Sequence, residues 1–287
     1  MIGKVVKGIG GFYFVKYDGE IIRGQGRGLL KRNNKLIKVG DNVEFQIRDD
    51  NECIITKVLK RKNEFIRPSI ANIDRLIVTF SATDPQPNYL SVDKLCVISE
   101  YYNVPVNILI TKIDLVDESQ VNEIYDIYKD VYKTFKIDAL SGIGLRELME
   151  ELKGKTVALA GPSGVGKSTV LNAIVPNKDI ETGAISDKTK RGKHTTRHAE
   201  IFSLDGDTNI FDTPGFTSLE MPIMEIKELG SLFPEFSKHG KCKYSDCIHI
   251  NEPECAIKDA LKLKFINMSR YNSYIKMIEE INNNRRY

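Results

Sequence analysis

Eight consecutive residues constrain this chain more than any others. Gly161-Pro162-Ser163-Gly164-Val165-Gly166-Lys167-Ser168 fits the pattern G-x-x-x-x-G-K-[ST]. The apolar run Thr156-Val157-Ala158-Leu159-Ala160 precedes it, and helix-forming residues follow from Lys167. A strand, a glycine-rich turn and a helix start, in that order, build a cradle of backbone N–H groups that suits phosphate oxygens. Lys167 is then the cation for the β- and γ-phosphates, Ser168 a ligand of Mg²⁺, and Thr169 a further hydrogen-bond donor to phosphate. A loop of this kind leaves the end of a buried strand, so it also calls for an α/β domain with a mainly parallel sheet.

The flanking sequence supplies such a sheet. Arg75 to Phe80 and Val106 to Ile110 read as buried strands, and Glu200 to Leu204 pairs with Thr208 to Phe211 around Asp205-Gly206-Asp207. Helices are expected over Tyr89 to Tyr102, Glu118 to Phe135 and Leu145 to Leu152. Ahead of Ile73 the grammar differs. The runs 12–17, 43–47 and 53–58 are β-branched or aromatic, and Gly10-Gly11, Asp18-Gly19, Gly24-Gln25-Gly26 and Gly40-Asp41 punctuate them. Short strands broken this often suggest a small all-β barrel of the oligonucleotide/oligosaccharide-binding (OB) type. Beyond Gly215 come Leu229 to Phe236, a cysteine cluster, and a helical tail in which Ile257, Leu261, Phe265, Met268, Tyr271, Ile275 and Ile278 recur at three- and four-residue steps. With 287 residues the chain has room for two or three domains, and the expected division is 1–70, 71–220 and 221–287.

Charge separates these parts. Residues 1–70 carry 15 Lys/Arg against 8 Asp/Glu, a net +7, whereas 71–220 carry 16 against 22, a net −6. A basic front joined to an acidic centre points to a polyanion partner for the barrel. Its aromatics Phe12, Tyr13, Phe14 and Tyr17 lie among Lys7, Lys16, Arg23, Arg27, Lys31 and Arg32, a mixture that suits RNA, although alternation assigns about half of the rings to the core. No apolar run approaches the roughly 18 residues of a membrane span, and Met1-Ile2-Gly3-Lys4 lacks the apolar stretch of a signal peptide. A cytoplasmic protein with reduced cysteines is therefore expected.

Three of the five cysteines lie between residues 242 and 255 beside a histidine. Cys242-x4-Cys247-x-His249-x5-Cys255 offers three sulfurs and one nitrogen, a set for a closed, structural, tetrahedral Zn²⁺ site. His239 is a possible substitute ligand, and Cys53 and Cys96 read as core residues of their own domains.

Other motifs address a base and a terminal phosphate. Thr111-Lys112-Ile113-Asp114 ends a buried strand and resembles the guanine-specificity motif Asn-Lys-x-Asp of GTPases. A carboxylate at Asp114 can accept both N1–H and the 2-amino group of guanine, and adenine has no such pair of donors. Thr111 stands where the motif has Asn, the residue that bridges to the phosphate loop, so the sequence leaves that bridge open. Asp138-Ala139 resembles the second base motif, with Asp138 in place of the usual Ser and the Ala139 N–H facing O6 of guanine. Asp212-Thr213-Pro214-Gly215 follows a strand, where Asp212 can hold Mg²⁺ through water and Gly215 can bond the γ-phosphate. The polar stretch Lys190 to Arg197 is the expected first switch, with Thr196 a better Mg²⁺ ligand than Thr195 by analogy with other Thr-Thr-Arg switches.

The base motifs precede the phosphate loop here, whereas in an ordinary GTPase they come last. A circular permutation keeps the sheet and its ligand crevice while moving the chain ends. With barrel, permuted nucleotide domain and Cys/His cluster in this order, the whole chain resembles the circularly permuted GTPases known as RsgA or YjeQ. The resemblance implies an α/β, circularly permuted P-loop GTPase domain flanked by an N-terminal OB-like β-barrel and a C-terminal, mostly helical zinc-binding domain. It implies GTP/GDP, Mg²⁺ and one structural Zn²⁺ as bound groups. It further implies hydrolysis of GTP stimulated by the small (30S) ribosomal subunit late in maturation, with contacts to 16S rRNA and ribosomal proteins. A monomer with no membrane partner is expected.

Many GTPases orient the attacking water with a Gln directly after Asp-x-x-Gly; here Phe216 occupies that place. Slow hydrolysis by the lone protein is expected, and His194 in the first switch is the in-chain candidate to orient water. Two other readings compete. A small-molecule kinase would have a substrate lid and no use for Asp114. A zinc-and-barrel RNA binder with a merely structural nucleotide would have no need of Lys167, Ser168 and Asp212 together.

Overall fold

Among the described residues one eleven-stranded sheet closes on itself at one end and lies open at the other. The computed structural model describes residues 1–27, 36–48, 52–66, 68–175, 199–205, 207–212 and 221–284, except for the side chains of Asp205, Asp212 and Asn284. The closed end is formed by β1 (Ile2–Ile9), β2 (Phe12–Tyr17), β3 (Glu20–Gly26), β4 (Asn42–Ile47) and β5 (Glu52–Val58). Pairing runs β1–β2–β3–β5–β4 and back to β1, which closes a five-stranded barrel around Val5, Val15, Val43, Phe45 and Ile55.

Two of these strands, β1 and β3, are not evident in the sequence. Gly24-Gln25-Gly26 reads as a break, yet it lies inside β3, paired in parallel with β5. A methyl group on Gly24 would meet Cys53 Sγ at 2.3 Å, so the glycine marks close strand approach and not a turn. At Asp18-Gly19 the expected turn is present, with both residues at positive φ as a type I′ hairpin requires.

The open end holds β6 (Arg75–Ser81), β7 (Val106–Thr111), β8 (Lys133–Lys136), β9 (Thr156–Ala160), β10 (Glu200–Asp205) and β11 (Thr208–Asp212). Their spatial order is β10-β11-β9-β6-β7-β8, parallel from β11 onward and antiparallel between β10 and β11. Helices α1 (Tyr89–Tyr101), α2 (Glu118–Tyr128), α3 (Leu145–Leu152) and α4 (Lys167–Ile174) connect these strands or follow them. The helix expected over 118–135 ends at Tyr128. Val121, Ile124 and Tyr128 complete its buried stripe, and Lys133–Lys136 instead becomes the edge strand β8 beside β7. Sheet pairing outweighs helical propensity there.

The barrel and the open sheet join where β1 meets β10 at Lys7↔Glu200, an ion pair of 2.8 Å between the same residues reinforcing the contact. Beyond β11 lie the short α5 (Ile226–Leu229), α6 (Ala256–Lys262) and α7 (Met268–Asn284), around a core that includes Leu229, Phe233, Phe236, Ile257, Tyr274 and Met277. The tail is thus two helices. A turn at 263–267 shifts the helical phase, which leaves Phe265 and Met268 exposed and buries Ile266 in their stead. No helix among the described residues is long and apolar enough to cross a membrane.

Candidate functional site

The carboxyl ends of β9, β6 and β7 bring the phosphate loop and the first base motif together. The loop turns sharply out of β9 over β6. At Gly161, φ is 148°, and a methyl group there would lie 2.0 Å from the Thr79 carbonyl oxygen. At Gly166, φ is 91°, and α4 begins at the next residue. Pro162, Ser163 and Gly164 form the outer rim, while Val165 is buried beneath it. The Lys167 ammonium donates to the carbonyls of Gly161 (2.7 Å) and Pro162 (2.6 Å), so the loop curls around its own cation. Burial lowers the Lys167 pKa to about 8. Ser168 and Thr169 are half-buried on the first turn of α4.

Thr111 restores the bridge that the sequence leaves open. Its hydroxyl lies 2.5 Å from the Val165 carbonyl and 3.2 Å from that of Phe80, and its single proton serves the nearer one. Its carbonyl accepts the Ala82 N–H at 2.8 Å, so the same residue also holds the chain leaving β6. Lys112 has a left-handed backbone with φ of 56°, and its ammonium donates to the Asp84 carbonyl at 2.5 Å. Ile113, half-buried, starts a 3-10 turn that carries Asp114 out to an exposed position.

The second base motif leaves β8 beside the first, since the Ile137 N–H donates to the Ile110 carbonyl at 2.8 Å. Asp138 is buried, and its carboxylate accepts the Leu140 N–H at 2.9 Å. The Ser141 hydroxyl, with the Leu140 and Ser141 backbone, holds this carboxyl below the usual range. Asp138 thereby ties down the loop that presents half-buried Ala139. Asp212 is the last residue of β11, which runs parallel to β9 with Phe211 opposite Ala158. His194, Thr195, Thr196, Thr213, Pro214, Gly215 and Phe216 lie outside the described residues.

A second cluster sits in the C-terminal part. His249 Nδ1 lies 3.4, 3.3 and 3.4 Å from the sulfurs of Cys242, Cys247 and Cys255, and Cys242 and Cys255 are 3.8 Å apart. All four donor atoms fall within 4.8 Å of one another. A tetrahedral Zn²⁺ with bonds of about 2.3 Å to sulfur and about 2.0 Å to nitrogen sets sulfurs about 3.8 Å apart and sulfur–nitrogen pairs about 3.5 Å apart. The donor set fits that ion with little adjustment. His239 is not in the set; it stacks on Phe265 at 5.6 Å.

The backbone of the cluster is fastened from α7. Tyr271 donates to the His249 carbonyl at 2.7 Å and Tyr274 to that of Ile248 at 2.9 Å. The Glu252 carboxylate accepts the N–H groups of Ile248 and Ile250. These outer contacts are not apparent in sequence, because a Tyr at core spacing reads simply as an apolar residue.

Sequence reasoning also misses a buried ionic cluster. Arg270 of α7, 0% exposed, donates to Asp93 of α1 at 2.5 Å and forks onto Glu235 at 2.8 and 3.2 Å. The available signal is phase, since Arg270 occupies the same stripe as the buried residues Tyr274, Met277 and Ile278.

Comparison with known proteins agrees with this geometry. Residues 58–222 match the RsgA GTPase family and residues 2–55 match the RsgA N-terminal domain. The small ribosomal subunit biogenesis GTPase RsgA of Alkaliphilus metalliredigens is 44% identical over 289 residues, covering 99% of each chain. Its counterpart from Agathobacter rectalis is 37% identical, covering 100% of both. The crystal structure of YjeQ from Thermotoga maritima superposes with a TM-score of 0.85 at 36% identity over 98% of each chain. That of YloQ, a circularly permuted GTPase, gives 0.82 at 30% identity, over 99% of this chain and 95% of that one.

Proposed function

This chain belongs to the RsgA GTPase family and is a GTP hydrolase; from that premise we propose that it binds the small ribosomal subunit during late maturation and hydrolyses GTP in response to it. The observation that carries the reading is the Thr111–Val165 hydrogen bond, which locks a guanine-type loop onto a phosphate loop at one end of the sheet.

In this reading Asp114 selects guanine, the stem of Lys112 covers the base, and Thr111 and Ile113 set their positions. Asp138 fixes the loop whose Ala139 N–H meets O6. Residues Gly161 to Thr169 wrap the phosphates, and the Lys167 ammonium exchanges its two carbonyl acceptors for the β- and γ-oxygens. Ser168, Thr196 and Asp212 hold Mg²⁺, and the Gly215 N–H senses the γ-phosphate. Bound Mg²⁺ neutralises charge on the β- and γ-oxygens. Phe216 cannot hydrogen-bond water, so hydrolysis waits on the partner, with His194 orienting the attacking water.

Residues 1–70 form the RNA-binding barrel, 71–220 the nucleotide domain, and 221–287 a module folded on Zn²⁺ held by Cys242, Cys247, His249 and Cys255. Support for the first comes from the net +7 of that part and from Arg23, which stacks on the Phe12 ring at 3.8 Å. The partner surface is 16S rRNA with ribosomal proteins, and the protein works as a cytoplasmic monomer.

The test is phosphate release from GTP and from ATP, with and without purified small subunits. The reading requires GTP turnover that rises with subunits and ATP turnover that does not. Equal turnover of both nucleotides, or no response to subunits, would refute it.

A further inference from the structure

The Arg270 cluster lies between the C-terminal module and the nucleotide domain, and it is held from both sides. Asp93 is 0% exposed, Glu235 3%. The Tyr128 hydroxyl of α2 donates to the same Asp93 oxygen at 3.1 Å, and the guanidinium faces the rings of Phe233, Tyr132 and Tyr128 at 4.8, 5.5 and 5.7 Å. Buried ion pairs are poor sources of stability, because apolar residues of similar size often serve as well. What this one does is fix direction: a guanidinium fork donates to its partners in one plane, which restricts how α7 meets α1. Lys94 and Glu280 repeat the connection at 2.6 Å, and Val97 of α1 packs into the core of the C-terminal module.

The other end of α1 reaches the nucleotide loops. Asn88 caps the helix through the Ser91 N–H at 3.1 Å, and Asp93 follows about 7 Å further along the axis. The residues before the cap form a wall behind the phosphate loop. Ser81 holds the Pro85 carbonyl at 2.7 Å, and Lys112 holds that of Asp84 at 2.5 Å. Pro85 Cδ lies 3.8 Å from where a methyl group on Gly164 would sit. A cavity of about 250 Å³ separates Pro85, Asn88 and Val92 from Pro162 and Val165. A shift of α1 therefore opens or closes space directly against the phosphate loop.

We propose that Arg270 is a positioning residue for the nucleotide site: through Asp93 it sets α1, and α1 sets the wall of residues 84–88 that backs the phosphate loop. The C-terminal module thereby governs how fast nucleotide leaves, by a route separate from the chain that follows Asp212. This rests on residues 161–168 being the nucleotide loop.

The experiment measures release of a fluorescent GDP analogue from the full chain, with zinc content and melting followed alongside. Asp93→Leu removes the Arg270–Asp93 contact yet leaves Arg270 paired with Glu235 and Lys94 with Glu280, and release should quicken about tenfold, within the roughly 2- to 30-fold that such networks reach. Asp93→Asn still accepts from Arg270 and should restore release close to the parental rate. A folded Asp93→Leu protein with the parental release rate would overturn the proposal, as would equal acceleration by both variants.

Amide hydrogen exchange of the parent, with and without GDP, tests the same link should Asp93→Leu not fold. GDP should slow exchange over residues 84–93 and 268–274 as well as 161–169. Protection restricted to 161–169 and 111–115 would overturn the proposal. A parent that binds no GDP analogue would instead refute the nucleotide-loop reading.

Discussion

The Thr111 hydroxyl donates to the Val165 carbonyl across 2.5 Å, joining the loop that follows β7 to the glycine-rich loop that follows β9. Both groups are buried, so loss of the donor leaves a carbonyl without its partner. Such a loss costs about 1–3 kcal/mol, roughly 5- to 150-fold in affinity. Thr111→Val should weaken GTP and GDP together by that order, and Thr111→Ser should not. Titration with fluorescent GTP and GDP analogues checks both statements, and an unchanged affinity in Thr111→Val would contradict them.

Asp114 is exposed at the tip of its 3-10 turn and has freedom to meet a base. Asp114→Asn removes the acceptor for one of the two guanine donors. Affinity for GTP should fall by about 1–3 kcal/mol while affinity for ATP does not. Competition of ATP and xanthosine triphosphate against a bound GDP analogue provides the measurement. An unchanged base preference would remove Asp114 from its role.

Zinc removal should melt one part of the protein and spare the rest. Structural zinc contributes about 10–16 kcal/mol of apparent binding energy in small modules, comparable with the whole stability of a domain. Chelation, or Cys247→Ser, should free the loop that Tyr271 and Tyr274 fasten to α7. Elemental analysis should find one zinc per chain in the parent. Proteolysis of the treated protein should cut after Met221 and leave the sheet intact. Absence of zinc from the purified parent would defeat the assignment.

Glu151 gives a pH dependence whose sign is fixed. Burial raises its pKa, but hydrogen bonds from Lys133 and Lys155 at 2.5 and 2.7 Å outweigh that and bring it down to about 2. The folded pKa lies below the unfolded one, so the stabilisation is complete above about pH 4.5 and is lost as pH falls toward 2. Exposure of Lys133 screens the interaction and limits it to about 1 kcal/mol. Glu151→Gln should therefore melt earlier than the parent at pH 7, and the gap should narrow below pH 4.5. A gap independent of pH over that range would exclude the ion pairs as its source.

The strand, glycine-rich turn and helix over 156–174, the Asp18-Gly19 hairpin, the buried strands 75–80 and 106–110, and the Cys/His spacing are all legible in the sequence. Each depends on contacts among residues near one another in the chain, or on a periodicity that one apolar environment imposes. Strands β1, β3 and β8 are not legible, because their partners lie on other strands and local propensity does not report them. Gly24 reads as a turn and is instead a point where two strands touch, a distinction that exists only once Cys53 is beside it. Phe265 and Met268 have the right spacing for a core, but the turn at 263–267 breaks the phase that spacing assumes. Thr111 departs from the motif in sequence, and its tie to the glycine-rich loop exists only in space, where the hydroxyl reaches the Val165 carbonyl. Arg270 shows the same limit from the opposite side. A charged residue at a core position is intelligible only when its two carboxylates arrive from residues 35 and 177 positions away, and long-range packing alone brings them there.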